Sequence, residues 1–279
     1  MKDSIKTREG YNPRLGKCLY ANNGIIEIEI PEEIGFRITS FSFINGKNVF
    51  FEQPEEDNFF VSENGWRIYG GHRLWVAPES DKTYWPDNLP VSIEVLETEI
   101  IVTQPKDGYN NIIKSAKISF ENNSLFIEHH VRNISEEPLK MSIWAVTSMA
   151  PGGTETVNME LRDGGMDPWT VISAWDYTSL SDPRATFKRD AITIRHLPLD
   201  ERFKIGIGHP KSPVIYTNNG ITFSKSFKVD RKAEYPDGGV SYETYFSKYM
   251  MEMESLSPLC VLGPGEETCH NEILSLSHI

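Results

Sequence analysis

At 279 residues, with 39% hydrophobic and 24% charged side chains, the chain has the size and composition of one folded all-β unit, which excludes disorder and fibrous repeats. Its formal net charge of −12 repels phosphate backbones and anionic lipid surfaces, so neither nucleic acid nor membrane is expected as a partner.

The first ten residues, MKDSIKTREG, contain no apolar signal-like run, and no stretch approaches the length of a spanning helix. The expectation is a cytoplasmic protein. Residues 25–30 then alternate strictly: Ile26, Ile28 and Ile30 face one way, Glu27 and Glu29 the other, the period of a half-buried strand. Similar runs follow at 37–43, 92–102, 116–120, 125–132, 140–146, 191–196, 203–207, 221–228, 240–246, 250–255 and 271–276, and none of comparable strength has a helical period. Asn-Gly pairs at 23, 45, 64 and 219 and Asp-Gly pairs at 107, 163 and 237 supply the positive φ that tight hairpins need. So many antiparallel strands bury their apolar faces only as packed sheets, which predicts a large antiparallel β-sandwich, read as a single domain over 1–279.

Two segments, 63–90 and 150–184, lack any period and mix Gly, Pro, Trp and charge. Long aperiodic loops this aromatic are expected to carry binding. Cys18, Cys260 and Cys269 show neither CxxC nor Cys/His spacing, so no disulfide framework and no metal is expected. Walker, dinucleotide and GxSxG motifs are absent, and no cofactor is expected.

The densest chemical cluster runs from Trp66 to Asp87 and includes His72, Arg73, Trp75, Glu79, Tyr84 and Trp85. Aromatic rings stack on the C–H faces of sugars and planar charged groups reach several hydroxyls, so this composition fits a mono- or oligosaccharide. A wholly structural role, with tryptophans sealing one end of the sandwich and Arg73 paired to Glu79, fits it equally. Near the C-terminus Glu252 and Glu254 are two apart and share a strand face, with Met251 and Met253 on the other. That face is either a solvated exterior or the lining of a concave site. Glu243 lies on the neighbouring strand of the same hairpin, with Tyr245 on its face. His129 and His130 are adjacent and point to opposite sides, so they cannot share one metal.

The stretch Tyr235-Pro-Asp-Gly-Gly-Val-Ser-Tyr-Glu-Thr-Tyr, followed by Met251-Glu-Met-Glu-Ser-Leu-Ser-Pro-Leu and Leu262-Gly-Pro-Gly-Glu-Glu, resembles the C-terminal end of the galactose-mutarotase-like superfamily. Residues 30–41 are similar to that superfamily's opening hairpin, and Gly70-Gly-His-Arg-Leu-Trp with Met149-Ala-Pro-Gly-Gly to a branch of unassigned function. The resemblance implies a sugar-handling sandwich and an aldose-epimerase type of reaction, in which a glutamate and a histidine exchange protons with the anomeric hydroxyl and the ring oxygen. By position it makes Glu254 the base, with Glu252 the other register. Where relatives carry the histidine, on a central strand, this chain has Trp144, which leaves His72 from the aromatic loop as the stand-in acid. Arg73, Trp75, Glu79, Trp144, Glu243 and Glu252 are the expected substrate contacts. Two alternatives stay open: a non-catalytic carbohydrate-binding domain, and a hydrolase or lyase using paired carboxylates.

Overall fold

The computed structural model describes residues 2–54 and 61–279. Among these residues strands dominate, and the one helical element is a single 3-10 turn, Asp81–Tyr84. No helix among the described residues is long and apolar enough to cross a membrane.

Three antiparallel sheets make up the architecture. A ten-stranded sheet runs from Ala185–Phe187 at one edge, through Ile221–Phe227, Glu267–His278 and Ser124–Asn133 at its centre, to Ser92–Val95 at the other. An eight-stranded sheet is ordered Ile172–Ala174, Phe203–Ile207, Tyr242–Phe246, Met251–Leu256, Leu139–Met149, His72–Ala77, Arg37–Ile38, with Cys260–Leu262 paired to the start of the long central strand. A four-stranded sheet of Lys6–Asn12, Gly16–Asn22, Ile26–Pro31 and Ser40–Phe43 precedes them. One continuous apolar core joins side chains from all three, among them Ile28 and Phe41, Ile118, Ile127 and Phe223, and Leu74, Ile143, Met253 and Phe203. Complete burial of aliphatic and aromatic side chains such as these contributes roughly 1.5–3 kcal/mol each against the conformational entropy of ordering the chain.

The periodic runs become strands because alternation gives each one an apolar face to bury. In Ser124–Asn133, Leu125, Ile127, His129 and Val131 point inward and the intervening residues do not. Asn219 and Gly220, with φ of 49° and 77°, close the hairpin between Pro210–Asn218 and Ile221–Phe227 as the dipeptide predicts.

Three expectations are corrected. The run at 92–102 is two strands, Ser92–Val95 and Ile100–Thr103, folded on each other. The run at 37–43 breaks at Thr39, so that Arg37–Ile38 joins the eight-stranded sheet while Ser40–Phe43 joins the four-stranded one. The segment 63–90 is not all loop: His72–Ala77 is a strand of the eight-stranded sheet, and since both of its faces are covered it carries no alternation to read. It is entered through Tyr69, Gly70 and Gly71, all at positive φ. A Cβ on Gly71 would stand 2.2 Å from the Ile38 carbonyl oxygen, so only glycine lets the chain turn into the sheet there.

Candidate functional site

Pleating of the eight-stranded sheet sorts its polar residues onto two faces. Glu252, Glu254 and Leu256 point away from the main core, as do Trp144, Val146 and Ser148, Arg73 and Trp75, Lys204, and Glu243 and Tyr245, while their neighbours in sequence enter the core. Register then brings these residues together. Glu243 is directly opposite Glu254, and Val146 opposite both Glu254 and Arg73.

Lys204 Nζ sits at the centre, 2.8 Å from Glu243 Oε2, 3.2 Å from Glu254 Oε2 and 3.8 Å from Glu79 Oε2. The same ammonium lies 4.6 Å from the ring centroids of both Trp144 and Trp175. Trp144 Nε1–H donates to Glu254 Oε2 at 2.8 Å. Beside this group Arg73 forms a second pair, 2.9 Å from Glu252 Oε1, with Ser148 Oγ bonded to both partners and the guanidinium 4.2 Å over the Trp75 ring.

Burial dominates the protonation of this cluster. It pushes Glu254 up to about 6, against the opposing pull of Lys204, and drives Glu243 well above the ordinary carboxylate range although Lys204 again opposes it. For Lys204 burial acts downward, but Glu254, Glu243 and Glu79 outweigh it and hold the ammonium charged. One cation does not fully compensate two buried carboxylates, so their surroundings favour a proton shared by the pair, and burial raises Glu243 further than Glu254. Glu243 Oε1 and Glu254 Oε1 are buried and have no hydrogen-bond partner among the described residues. Each therefore has lone pairs, or a proton, to offer to a molecule entering the site.

Aromatic side chains wall the cluster. Trp66, Trp75 and Trp144 form a row with centroid separations of 5.6 and 5.2 Å, and Tyr84 packs edge-on against the first two. Tyr84 hydroxyl donates to Glu79, and burial followed by Glu79 raises its pKa. Tyr177, pushed up to about 12 by burial, lies within the electrostatic reach of Lys204 and Glu254. Lys204, Glu243 and Glu254 are almost inaccessible, whereas Glu79 and Tyr84 are exposed. Lys204, Glu243 and Glu254 thus lie beneath Glu79 and Tyr84, which meet solvent.

Solved structures share this arrangement of antiparallel sheets. A protein from Klebsiella pneumoniae described as a "putative aldose 1-epimerase" superposes with a TM-score of 0.67 at 13% identity over 100% of this chain and 85% of its own. A galactose mutarotase-like protein from Clostridium acetobutylicum gives 0.58 at 11% identity over 100% and 99%. The fold is galactose-mutarotase-like. A TPR-domain containing protein from Parabacteroides distasonis also matches, with a TM-score of 0.61 at 13% identity over 94% of this chain, which spans only 47% of that longer protein. No protein-family model matches the sequence, and no curated protein does.

Within this mutarotase-like fold the carboxylates Glu243, Glu252 and Glu254, with Arg73, Trp75 and Trp144, converge on one face, and Glu79 reaches it from the rim. Glu252 and Glu254 are buried and do not form a solvated exterior. Arg73 pairs with Glu252 and not with Glu79.

His72 does not join them. It directly precedes Arg73 in a strand, so pleating sends it to the opposite face, into the core, where Nδ1 lies 2.9 Å from Thr147 Oγ1 and Nε2 3.1 Å from His129 Nε2. Burial also holds its pKa well below the usual histidine value. Its expected role as the acid is withdrawn on this geometry.

Lys204, the hub of the cluster, is absent from the sequence reading. Its signal was present: a lysine inside the otherwise apolar strand Phe203–Ile207 must be paired if that strand is buried. Ser148 and Trp175 carried no comparable signal.

Proposed function

We propose that this protein binds an aldose on the outer face of the eight-stranded sheet and interconverts its anomers, with Glu254 as base and Glu243 as acid. The observation that carries this reading is the pair itself: two carboxyls on adjacent strands, sharing Lys204, each with a buried oxygen lacking a partner. Their surroundings push their proton affinities apart, which is how one site comes to hold an acid and a base together. Glu254 takes the proton of the anomeric hydroxyl, the C1–O5 bond breaks, and Glu243 gives its proton to O5. Rotation about C1–C2 and the reverse transfers then close the other anomer. Trp75, Trp144 and Tyr84 offer ring faces to the sugar, and Arg73 with Glu252 offers a fixed donor and acceptor. Neighbours of the same fold described as "putative aldose 1-epimerase" or "galactose mutarotase-like protein" support the substrate class.

A second reading, sugar binding without turnover, is favoured by one observation: among the described residues no histidine contacts the carboxylate cluster. Exchange NMR on a panel of aldoses separates the two. Catalysed anomer exchange that disappears in Glu254→Gln supports the first. Saturable binding with exchange no faster than in buffer leaves only the second.

A further inference from the structure

We propose that the interior of the sandwich holds a divalent transition-metal ion, zinc above all, on His72 Nε2, His129 Nε2 and Glu272 Oε2. His72 belongs to the eight-stranded sheet and His129 and Glu272 to adjacent central strands of the ten-stranded one, so the ion ties the two layers together.

The three atoms are 3.1 Å (His72 to His129), 3.2 Å (His129 to Glu272) and 3.6 Å (His72 to Glu272) apart. Zinc bonds of about 2.0–2.2 Å in a tetrahedron place neighbouring ligand atoms about 3.3–3.6 Å apart, so a single ion fits all three at once. All three side chains are inaccessible to solvent. Two imidazoles and a carboxylate suit zinc and its neighbours in the first transition row better than magnesium or calcium, which take oxygen ligands.

The surroundings orient the set. Thr147 Oγ1 holds Nδ1 of His72, which turns Nε2 toward the cluster. The donors around Glu272, Lys225 Nζ at 2.9 Å and Ser255 Oγ, both engage Oε1, so Oε2 faces only histidine nitrogens. Lys225 is a positive charge that opposes a cation, yet its bonds go to Glu272 Oε1, Ala145 O, Thr147 Oγ1 and Met253 O and none to the three ligand atoms. Without an ion, at most the imidazole N–H groups serve three mutually close acceptor atoms. His129 Nδ1 is buried and has no partner among the described residues, so this ring is positioned for the ion by His72 and Glu272 and not by a hydrogen bond behind it.

The ligands are 57 and 143 residues apart in sequence, so no spacing motif announces them. The divergence of His129 and His130 stands, and it is His72 that completes the set. Since the cluster lies on the opposite face of the sheet from Glu243 and Glu254, the ion is structural and not part of the sugar chemistry, and the inference does not rest on that chemistry.

The test is metal analysis of tag-free protein purified from zinc-supplemented medium, alongside protein unfolded with chelator and refolded with zinc or cobalt alone. Close to one zinc per chain is expected, with the strong visible absorption of tetrahedral cobalt in the substituted form and a thermal midpoint lowered by chelator. In His129→Phe and, separately, His72→Gln, bound metal falls at least ~10-fold. Should both variants fail to fold, the metal content and chelator response of the unmutated protein decide. Native and refolded protein holding no zinc or cobalt, or holding as much as a folded variant does, would overturn the proposal in favour of a metal-free hydrogen-bonded network.

Discussion

Glu243 and Glu254 stand directly opposite each other on paired strands, and a single ammonium, Lys204 Nζ, lies 2.8 Å from the first and 3.2 Å from the second. Two buried carboxyls and one cation leave room for one more proton. The proton makes the pair unequal, and the inequality is what acid–base chemistry at one sugar carbon requires.

Catalysed anomer exchange should therefore follow a bell-shaped pH profile. Glu254 must be ionised, which puts the rising limb near about 6, and Glu243 must keep its proton, which puts the falling limb above that. Both limbs belong to the coupled pair and shift together in Lys204 variants. Initial exchange rates across pH check this, and a profile flat from acid to neutral pH would exclude Glu254 as the base.

Removal of Lys204 leaves two buried carboxyls uncompensated. Lys204→Met should lower stability by about 3–5 kcal/mol near pH 8, the usual cost of breaking a buried pair. Glu254 has a folded pKa raised from 4.5 to about 6, so between those values the folded chain holds more protons than the unfolded one, and stability falls as pH rises. Without Lys204 that fall steepens and extends to higher pH. Denaturant melts of the variant should thus recover much of the loss at pH 5, and equal loss at both pH values would contradict the charge-sharing account.

Trp144 marks the place where relatives of this fold were expected to carry a histidine, and its Nε1–H donates to the ionised form of Glu254. Trp144→Phe keeps an aromatic ring, though a smaller one, and removes the donor, so the Glu254 pKa should climb by about one unit and carry the rising limb of the pH profile with it. A reduced rate with an unmoved limb would mean that the indole acts only by packing.

Gly71, at a φ of 71° and facing the Ile38 carbonyl, fixes the entry of the strand that bears Arg73 and Trp75. Gly71→Ala should cost at least about 1–3 kcal/mol, and thermal melts would show it. The equivalent change at Gly24, where a Cβ meets nothing within 4 Å, shares the positive φ without the clash and should cost less.

Much of the sandwich was legible because half-buried strands write their two faces into the sequence, as Ile26 to Ile30 and Leu125 to Val131 do. Strands buried on both faces do not, and so His72–Ala77 read as loop. The same blindness decided the site. Glu254 and Arg73 could be named from motif and composition, but which face His72 takes is settled only once its segment is known to be a strand. The hub Lys204 emerges only from strand register, which pairs Phe203–Ile207 with Tyr242–Phe246 and sets its ammonium between carboxyls 39 and 50 residues away.

Anomer exchange measured by NMR on freshly dissolved aldoses, with unmutated protein and Glu254→Gln side by side, tests the proposed function most directly. The expected result is accelerated exchange for at least one aldose, reduced by about a hundredfold or more in the variant while sugar binding persists. A folded, sugar-binding protein that leaves every exchange rate at its value in buffer, or a Glu254→Gln variant as active as the parent, would contradict it.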